Sequence, residues 1–241
     1  MNAMPNSSET IRTQLLAEMK DGIYADCDRL PRESVLSEKM GISRTQLRDI
    51  LSALEREGFI TRRHGVGTII NHHVLEIRNR MDISTEFLDI IRQNGYEPDI
   101  AYVNMQEETA DEFIAGKLKI PVGTPVIRIN RLCTADGKPA IYCEDVLDKK
   151  LVKRGFTLQD LECTIFEFMQ KFCDVYSYMD LTELHAVTAN DSLAQTLDVS
   201  VGTALLNFEE LDFDIGGRTI LYSREYFVDA LFQHTVLRKK L

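Results

Sequence analysis

The sequence predicts an α/β chain of the α+β type in two parts, a small helical unit closed by a β-hairpin and a larger unit built on an antiparallel sheet. Three observations carry this reading. Apolar residues recur at helical spacing in three short segments before residue 58. A pattern over residues 111–143 returns over 190–222, and charge divides unevenly between the two parts.

The chain has 241 residues, with 28 Lys and Arg against 38 Asp and Glu, a formal charge of −10. Residues 1–75 hold ten basic and ten acidic side chains, so the remaining 166 carry the whole excess. Within 29–67 the balance is eight basic to five acidic. Attraction to nucleic acid follows the local field, so the net acidity does not exclude DNA as a partner of the first part. With 44% hydrophobic residues, 13 Gly and 6 Pro, the composition excludes disordered and collagen-like chains. No run of 18 apolar residues occurs, and MNAMPNSSET lacks the basic and apolar regions of a signal peptide, so a cytoplasmic protein without a membrane partner is expected.

Cys27, Cys133, Cys143, Cys163 and Cys173 are odd in number and form no C-x-x-C pair, which predicts reduced thiols. The sequence contains no HExxH, GxGxxG or GxxxxGK[ST], and no nucleophile with an adjacent base stands out. No catalytic residue, metal or cofactor is expected, and the chain is not read as an enzyme.

Ile11, Leu15, Leu16, Met19 and Ile23 predict a first helix over 11–24, ending near Gly22. A second follows Pro31, with Glu33 in its first turn, Val35, Leu36 and Met40 on its apolar side, and Gly41 as its stop. The third starts at Ser43 as N-cap and runs through Leu47, Ile50, Leu51 and Leu54 to Gly58. Segments 59–63 and 67–71, separated by His64, Gly65 and Val66, read as a hairpin. Two helices joined at Gly41-Ile42 fit a helix-turn-helix, whose second helix enters the DNA major groove. Ser43, Arg44, Thr45, Gln46 and Arg48 fall in the first turns of that helix. Arg pairs bidentately with guanine, Gln with adenine, and Ser or Thr holds phosphate. The alternative is an ordinary charged face on a small helical domain.

The string RLPRESVLSEKMGISRTQLRDILSALEREGFITRRHGVGT resembles the winged helix-turn-helix of GntR-family bacterial transcription regulators, over roughly residues 10–73. The resemblance implies that Arg44, Thr45 and Arg48 contact operator DNA and that Gly65, Gly67 and Thr68 form a wing near the minor groove. The family often has Arg where this chain has Ser34, and a basic residue where it has Val66; Arg32 and His64 are the substitutes at hand.

The expected division is a DNA-binding domain over 1–74, a linker over 75–83 and a second domain over 84–241. His72 and His73 are read as exposed linker residues. A helix over 84–94 with Ser84 as cap and a strand within 97–107 open the second domain. The repeat then pairs Ala115 with Ala194, Leu118 with Leu197, Val122-Gly123-Thr124 with Val201-Gly202-Thr203, and Gly137 with Gly216, at an offset of 79. Each copy reads as a short helix, a V-G-T turn, a strand, a Gly-containing turn and a strand. Between the copies, a helix over 161–172 buries Leu161, Ile165, Phe168, Met169 and Phe172.

This arrangement resembles the UTRA effector-sensing domain of the HutC-like branch of the same family, a fold related to chorismate lyase. That resemblance implies a homodimer and a small-molecule effector: a sugar, sugar phosphate or other small polar metabolite. It aligns Arg131 with the first of two arginines that face an effector anion, and Cys133 with the second. It also aligns Glu144 with a carboxylate that binds effector hydroxyls or an amine, Thr164 with a helix-start hydroxyl that assists anion binding, and Tyr226, with Tyr222 as neighbour, with an aromatic cavity wall. Alternation places Arg131 and Cys133 on one sheet face. Each of these residues has an ordinary structural role as its alternative. Cys133 in place of a guanidinium removes a bidentate grip on phosphate and weakens the case for a doubly charged effector. The expected function is a ligand-responsive DNA-binding transcription regulator, a repressor released by a metabolite. A constitutive DNA-binding protein with a purely structural acidic domain is the alternative.

Overall fold

The computed structural model describes residues 8–239. Its described residues form two compact units: those up to Arg80 together with those from Thr235 on, and Met81–His234.

The first unit contains α1 (Ser8–Lys20), α2 (Glu33–Met40), α3 (Arg44–Arg56), β1 (Ile60–Arg63), β2 (Gly67–Ile70) and α4 (His72–Leu75). Its core joins Ile11, Leu15 and Met19 of α1 to Leu36 of α2 and to Leu47, Ile50, Leu51 and Leu54 of α3, with Ile60 and Ile70 closing it from the hairpin. Gly41 reverses the chain between α2 and α3 at φ 65°, a conformation that favours glycine. The first helix ends at Lys20 rather than near Gly22, and the Tyr24 amide turns back to the Glu18 carbonyl, so Tyr24 is buried and Ile23 exposed. Val35 is exposed as well, because α2 turns Leu36 and Ser37 inward instead.

The boundaries of this unit differ from the expected ones. Residues 72–75 are helical, with Val74 and Leu75 buried, and the His72 ring lies 3.0 Å from the Cys27 carbonyl, so His72 is not a free linker residue. Arg80 bridges to Thr235, and the chain end returns to the unit that opens it. There Lys239 Nζ donates to the carbonyls of Glu55 and, at 2.9 Å, of Arg56. The Glu55 carbonyl also receives the Gly58 amide at 3.1 Å, and the ammonium complements the C-terminal end of the α3 helix dipole.

The second unit holds α5 (Phe87–Gln93), β3 (Pro98–Thr109), α6 (Glu112–Leu118), β4 (Pro125–Ala135), β5 (Lys138–Asp148), α7 (Ile165–Phe168), β6 (Met179–Thr188), α8 (Asp191–Leu197), β7 (Ala204–Phe213) and β8 (Thr219–Phe227). The strands form one antiparallel sheet in the order β3-β4-β5-β8-β7-β6. The repeat is visible in it: each half runs strand, helix, strand, strand, and the halves meet where β5 pairs β8. Asp111 and Asn190 cap α6 and α8 through their side-chain oxygens, and Lys119 and Asp198 end them in left-handed conformation.

The sheet buries both faces. Ile127, Ile129, Leu147 and Leu221 pack under α7, and Cys133, Cys143 and Phe227 under α5. On the opposite face Val126, Val146 and Tyr222 meet α6, while Leu132, Tyr142 and Tyr226 meet α8. The helix expected from Ser84 begins at Phe87 with Glu86 in the cap position. The helix expected over 161–172 is interrupted: a 3-10 turn over Leu158–Leu161 precedes α7, which continues as a π turn over Met169–Cys173. Thr164 restarts it through a capping box with Glu167, and the five residues of the expected core stripe are all buried.

Candidate DNA interface and effector site

The first unit presents a groove of about 920 Å³ between α2, α3 and the hairpin. Arg29, Arg32, Arg44, Arg48, Arg62 and Arg63 line it against only two carboxylates, Glu33 and Glu55. His64, Gly65, Gly67 and Thr68 complete its hairpin side. Gly65 and Gly67 have φ of 75° and 103°, which a tight turn at the tip requires. Arg29 Nη1 donates to the Val66 carbonyl at 3.1 Å, and Leu30 N bonds the Thr68 carbonyl at 2.9 Å, so the segment before α2 braces the wing.

Two ion pairs lie along the groove. Arg48 Nε lies 2.8 Å from Glu33, and Glu55 receives both the backbone amide and, at 2.7 Å, the Nε of Arg62. Ser43 Oγ is occupied as the cap of α3, accepting the Gln46 amide at 3.1 Å, while Arg44 and Thr45 are exposed on its first turn. Of the expected DNA-facing residues, Arg32, Arg44, Arg48, His64, Gly65, Gly67 and Thr68 line the groove; Ser43, Thr45 and Gln46 lie beside it. Arg29, Arg62 and Arg63 were not in the expected set, although the dibasic pair immediately before the wing was the signal for two of them.

In the second unit the six residues expected to share a cavity divide between the two sheet faces. Arg131, Cys133 and Thr164 lie on the side of α5 and α7. Glu144, Tyr222 and Tyr226 lie on the side of α6 and α8, where Glu144 pairs with Arg224 at 3.2 Å and Tyr226 stacks on Tyr142. The physical reason is strand parity: Glu144 is one residue from Cys143, and successive side chains point to opposite faces.

The α5 and α7 side holds a buried polar network. Arg131 donates from Nη2 to Asp145 Oδ2 and from Nη1 to the Cys163 carbonyl, each at 2.6 Å, and Ser223 Oγ donates to Asp145 Oδ1 at 2.7 Å. The Cys133 and Cys143 thiols hydrogen-bond to each other, which holds Cys133 below and Cys143 above the usual thiol range. Thr164 Oγ1 bonds Glu86 Oε1 at 3.2 Å, and the Thr164 amide is taken by Glu167 at 3.1 Å. Next to this network a cleft of about 330 Å³ is lined by Ser84 and Glu86, by Phe166, Glu167 and Gln170, and by the segment 176–180. Burial pushes the Glu86 carboxyl up to about 7, and those of Glu210 and Asp212 to about 7 and about 8. Among the described residues no group of His, Cys, Asp and Glu is arranged to hold a metal ion, and no helix is long and apolar enough to cross a membrane.

An arginine-lined winged helix and a sheet domain with a polar cleft define a class, the ligand-responsive DNA-binding transcription regulator. The UTRA domain family matches residues 93–233, and the gntR family of bacterial regulatory proteins matches residues 7–70. The chain belongs to the UTRA-domain family and, with its gntR-type N-terminal region, is a transcription regulator of the GntR/UTRA type rather than an enzyme. It is similar to the HTH-type transcriptional regulator RB1450 of Rhizobium meliloti, 24% identical over 90% of this chain and 88% of that one. With the regulator GgaR of Escherichia coli it shares 30% identity over 54% of this chain and 49% of the other. Crystal structures of YydK from Bacillus subtilis (TM-score 0.77, 17% identity, 96% and 99% of the two chains) and PhnF from Mycobacterium smegmatis (0.60, 19%, 97% and 99%) share the fold.

Proposed function

We propose that the protein is a cytoplasmic repressor that binds operator DNA as a homodimer and leaves it when a small metabolite occupies the α5- and α7-covered face of its sheet. The observation that carries the DNA half is the groove in which six arginines converge between the recognition helix and the wing. One such module reads one half-site, so a symmetric dimer on a pseudo-palindrome supplies the second. We place the dimer contact on the second unit, whose edge strand β6 exposes Met179, Leu181 and Leu184. The arrangement supports membership of the HutC-like branch and kinship of the second unit with chorismate lyase.

Of the residues proposed from sequence, we retain Arg131, Cys133 and Thr164 as part of the effector site and assign Glu144, Tyr222 and Tyr226 to the packing of the opposite face. Release requires only that the effector prefer the DNA-incompatible state; a 100-fold preference corresponds to about 2.7 kcal/mol. A constitutive binder with an inert acidic domain has no use for a polar cleft beside buried, unpaired carboxylates, and this favours the sensor. The test is operator affinity of the purified dimer, measured at fixed salt with and without candidate metabolites. Affinity unchanged across a broad set of sugars, sugar phosphates, amino acids and amines contradicts the sensor reading.

A further inference from the structure

The effector-side face of the sheet is acidic well beyond what the two domain resemblances imply. Cross-strand partners share a face, and the registers place Asp145, Ser223, Glu210 and Thr182 in one row, Asp212 and Asp180 in the next, and Arg131, Cys143, Glu225 and Phe208 in the row on the other side. Five carboxylates therefore occupy one face with a single guanidinium. Glu86 and Glu167 add two more from the segments that cover it.

Arg131 does not balance this charge toward a ligand. Both of its terminal nitrogens are already committed, to Asp145 and to the Cys163 carbonyl. Of the amides at the start of α7, those of Thr164 and Glu167 are taken up by the capping box between these two residues. Of the donors expected to receive an anion, Arg131 Nη1 and Nη2 and the Thr164 and Glu167 amides are engaged within the protein, while Arg131 Nε is sealed in the sheet without a partner.

Two buried carboxyl oxygens of this face also lack a partner. Glu225 is 1% exposed, and its Oε2 has no hydrogen-bond partner; Asp212, also 1% exposed, satisfies Oδ1 with Ser177 at 2.6 Å and leaves Oδ2 unpartnered. Ser177 itself lines the cleft, which brings the Asp212 carboxyl to its wall, and Asp180 links that wall to Glu210 through Thr182. Burying a carboxyl oxygen without a partner costs on the order of 1–3 kcal/mol, and a cation brought against such an acid supplies a donor and favours the ionised form over the protonated one that burial holds. The cleft lining contains no Lys or Arg, but it does contain Phe166, Tyr176 and Tyr178, the two tyrosines being about two-thirds exposed at 63% and 64%. Open aromatic faces beside carboxylates attract organic cations by cation–π and charge-assisted contacts together. A metal ion fits less well, since the carboxylates are spread along strands and do not converge among the described residues.

We propose that the effector is an organic cation, a metabolite bearing an amine or guanidinium group, which the carboxylates of this face and the aromatic rings of the cleft receive. This rests on the reading that the face covered by α5 and α7 is the effector site. The cationic group supplies the donor that Asp212 lacks behind the cleft wall, and the apolar or hydroxylated remainder lies between Phe166 and the tyrosines.

The test is thermal unfolding of the full-length dimer at constant ionic strength, with agmatine, 1,4-diaminobutane and glucosamine as cationic probes and glucose 6-phosphate and inorganic phosphate as anionic ones. Operator affinity is followed in parallel. At least one cation raises the melting temperature of the wild type, and Asp212→Asn weakens its binding about tenfold or more, as loss of a charge-assisted contact requires. The neutral amide can keep the Ser177 contact and removes an unpaired acid, so the substituted protein alone melts at or above the wild type, which separates lost binding from lost folding. A response confined to the anionic probes, no response to any cation, or an undiminished response in the substituted protein each overturns the cation assignment. A response confined to the anions that also releases operator leaves the sensor reading standing. A cation that raises the melting temperature without changing operator affinity sinks the sensor reading and keeps the cation site.

Discussion

Arg131 and Asp145 form an ion pair at 2.6 Å with side chains only 6% and 2% exposed. Through the Cys163 carbonyl and Ser223 the pair ties β4, β5 and β8 to the segment that leads into α7. Neither charge has access to water, so each depends on the other and on these hydrogen bonds. The pair is a structural strut across the sheet, and in the proposed effector site it gives Arg131 the part of positioning the wall rather than gripping an anion.

Asp145→Asn and Arg131→Met each leave one buried charge uncompensated and are expected to destabilise the protein by about 3–5 kcal/mol. The double substitution Arg131→Met with Asp145→Leu is expected to cost less than the sum, because it removes both charges. Urea unfolding measures all three. Losses below about 1 kcal/mol for both single variants contradict the strut.

On the DNA side, Arg44→Ala removes a base-reading candidate from the first turn of α3 and is expected to cost about 1–3 kcal/mol of operator affinity while relaxing preference at one base pair. Arg63→Ala, at the wing, weakens binding evenly across sequences and lowers the slope of log affinity against log salt by about one. Electrophoretic mobility shifts over a salt series distinguish them. If neither changes affinity, α3 and the wing are not the reading surface.

Burial holds the carboxyls of Glu86 and Glu210 at about 7 and that of Asp212 at about 8, above the usual carboxylate range. Asp212 faces Ser177, Glu210, Asp180 and Asp145; Glu210 faces Thr182, Asp180 and Asp145; Glu86 faces Thr164, Arg131, Glu167 and Asp89. Between the usual carboxyl range and these raised values the folded chain binds more protons than the unfolded one, so stability falls as pH rises toward 8. The melting temperature without ligand is therefore higher at pH 5.5 than at pH 8, roughly the span between these ranges. Asp212→Asn flattens that dependence. A stability that instead rises steadily to pH 8 shows that these carboxyls are already ionised.

Two glycines of the DNA-binding unit separate backbone strain from collision. Gly41 has φ 65° with open space around the position of a Cβ, so Gly41→Ala carries the conformational cost alone, about 1 kcal/mol. Gly58 has φ 86°, and a Cβ there lies 2.5 Å from Leu237 Cδ2, so Gly58→Ala costs more. Deleting residues 235–241 from the Gly58→Ala variant removes the collision and narrows the gap. Equal losses for both alanine variants in the intact chain show that Leu237 does not pack there.

Much of this fold was legible because local chemistry repeats. Ser43, Gly41 and the wing glycines announce their turns by residue type, and the repeat at offset 79 recurs down to the helix caps Asp111 and Asn190. The recognition helix was legible for the same reason, since its reading residues are consecutive. The proposed effector site was legible only in part. Arg131 and Cys133 alternate on one strand, but Glu144 was joined to them across a strand boundary whose register the sequence does not state, and a shift of one residue reverses the face. Glu210, Asp212 and Glu225 carried a signal of their own, charged residues at alternate positions of two interior strands, yet charge at such positions is ordinarily solvated and attracts no notice until the strands are paired.

The chain's own sequence determined that there are two units, that the first is a winged helix with a basic reading surface, and that the second is a duplicated sheet carrying the acidity. These follow from periodicity, turn residues and charge counts, which act over a few residues. Tertiary structure decided which acids are buried together, that Arg131 is engaged by Asp145, and that the tail from Thr235 caps the recognition helix through Lys239. Those outcomes depend on register and on contacts between residues far apart in the chain, which bring acids scattered along the sequence onto one buried sheet face.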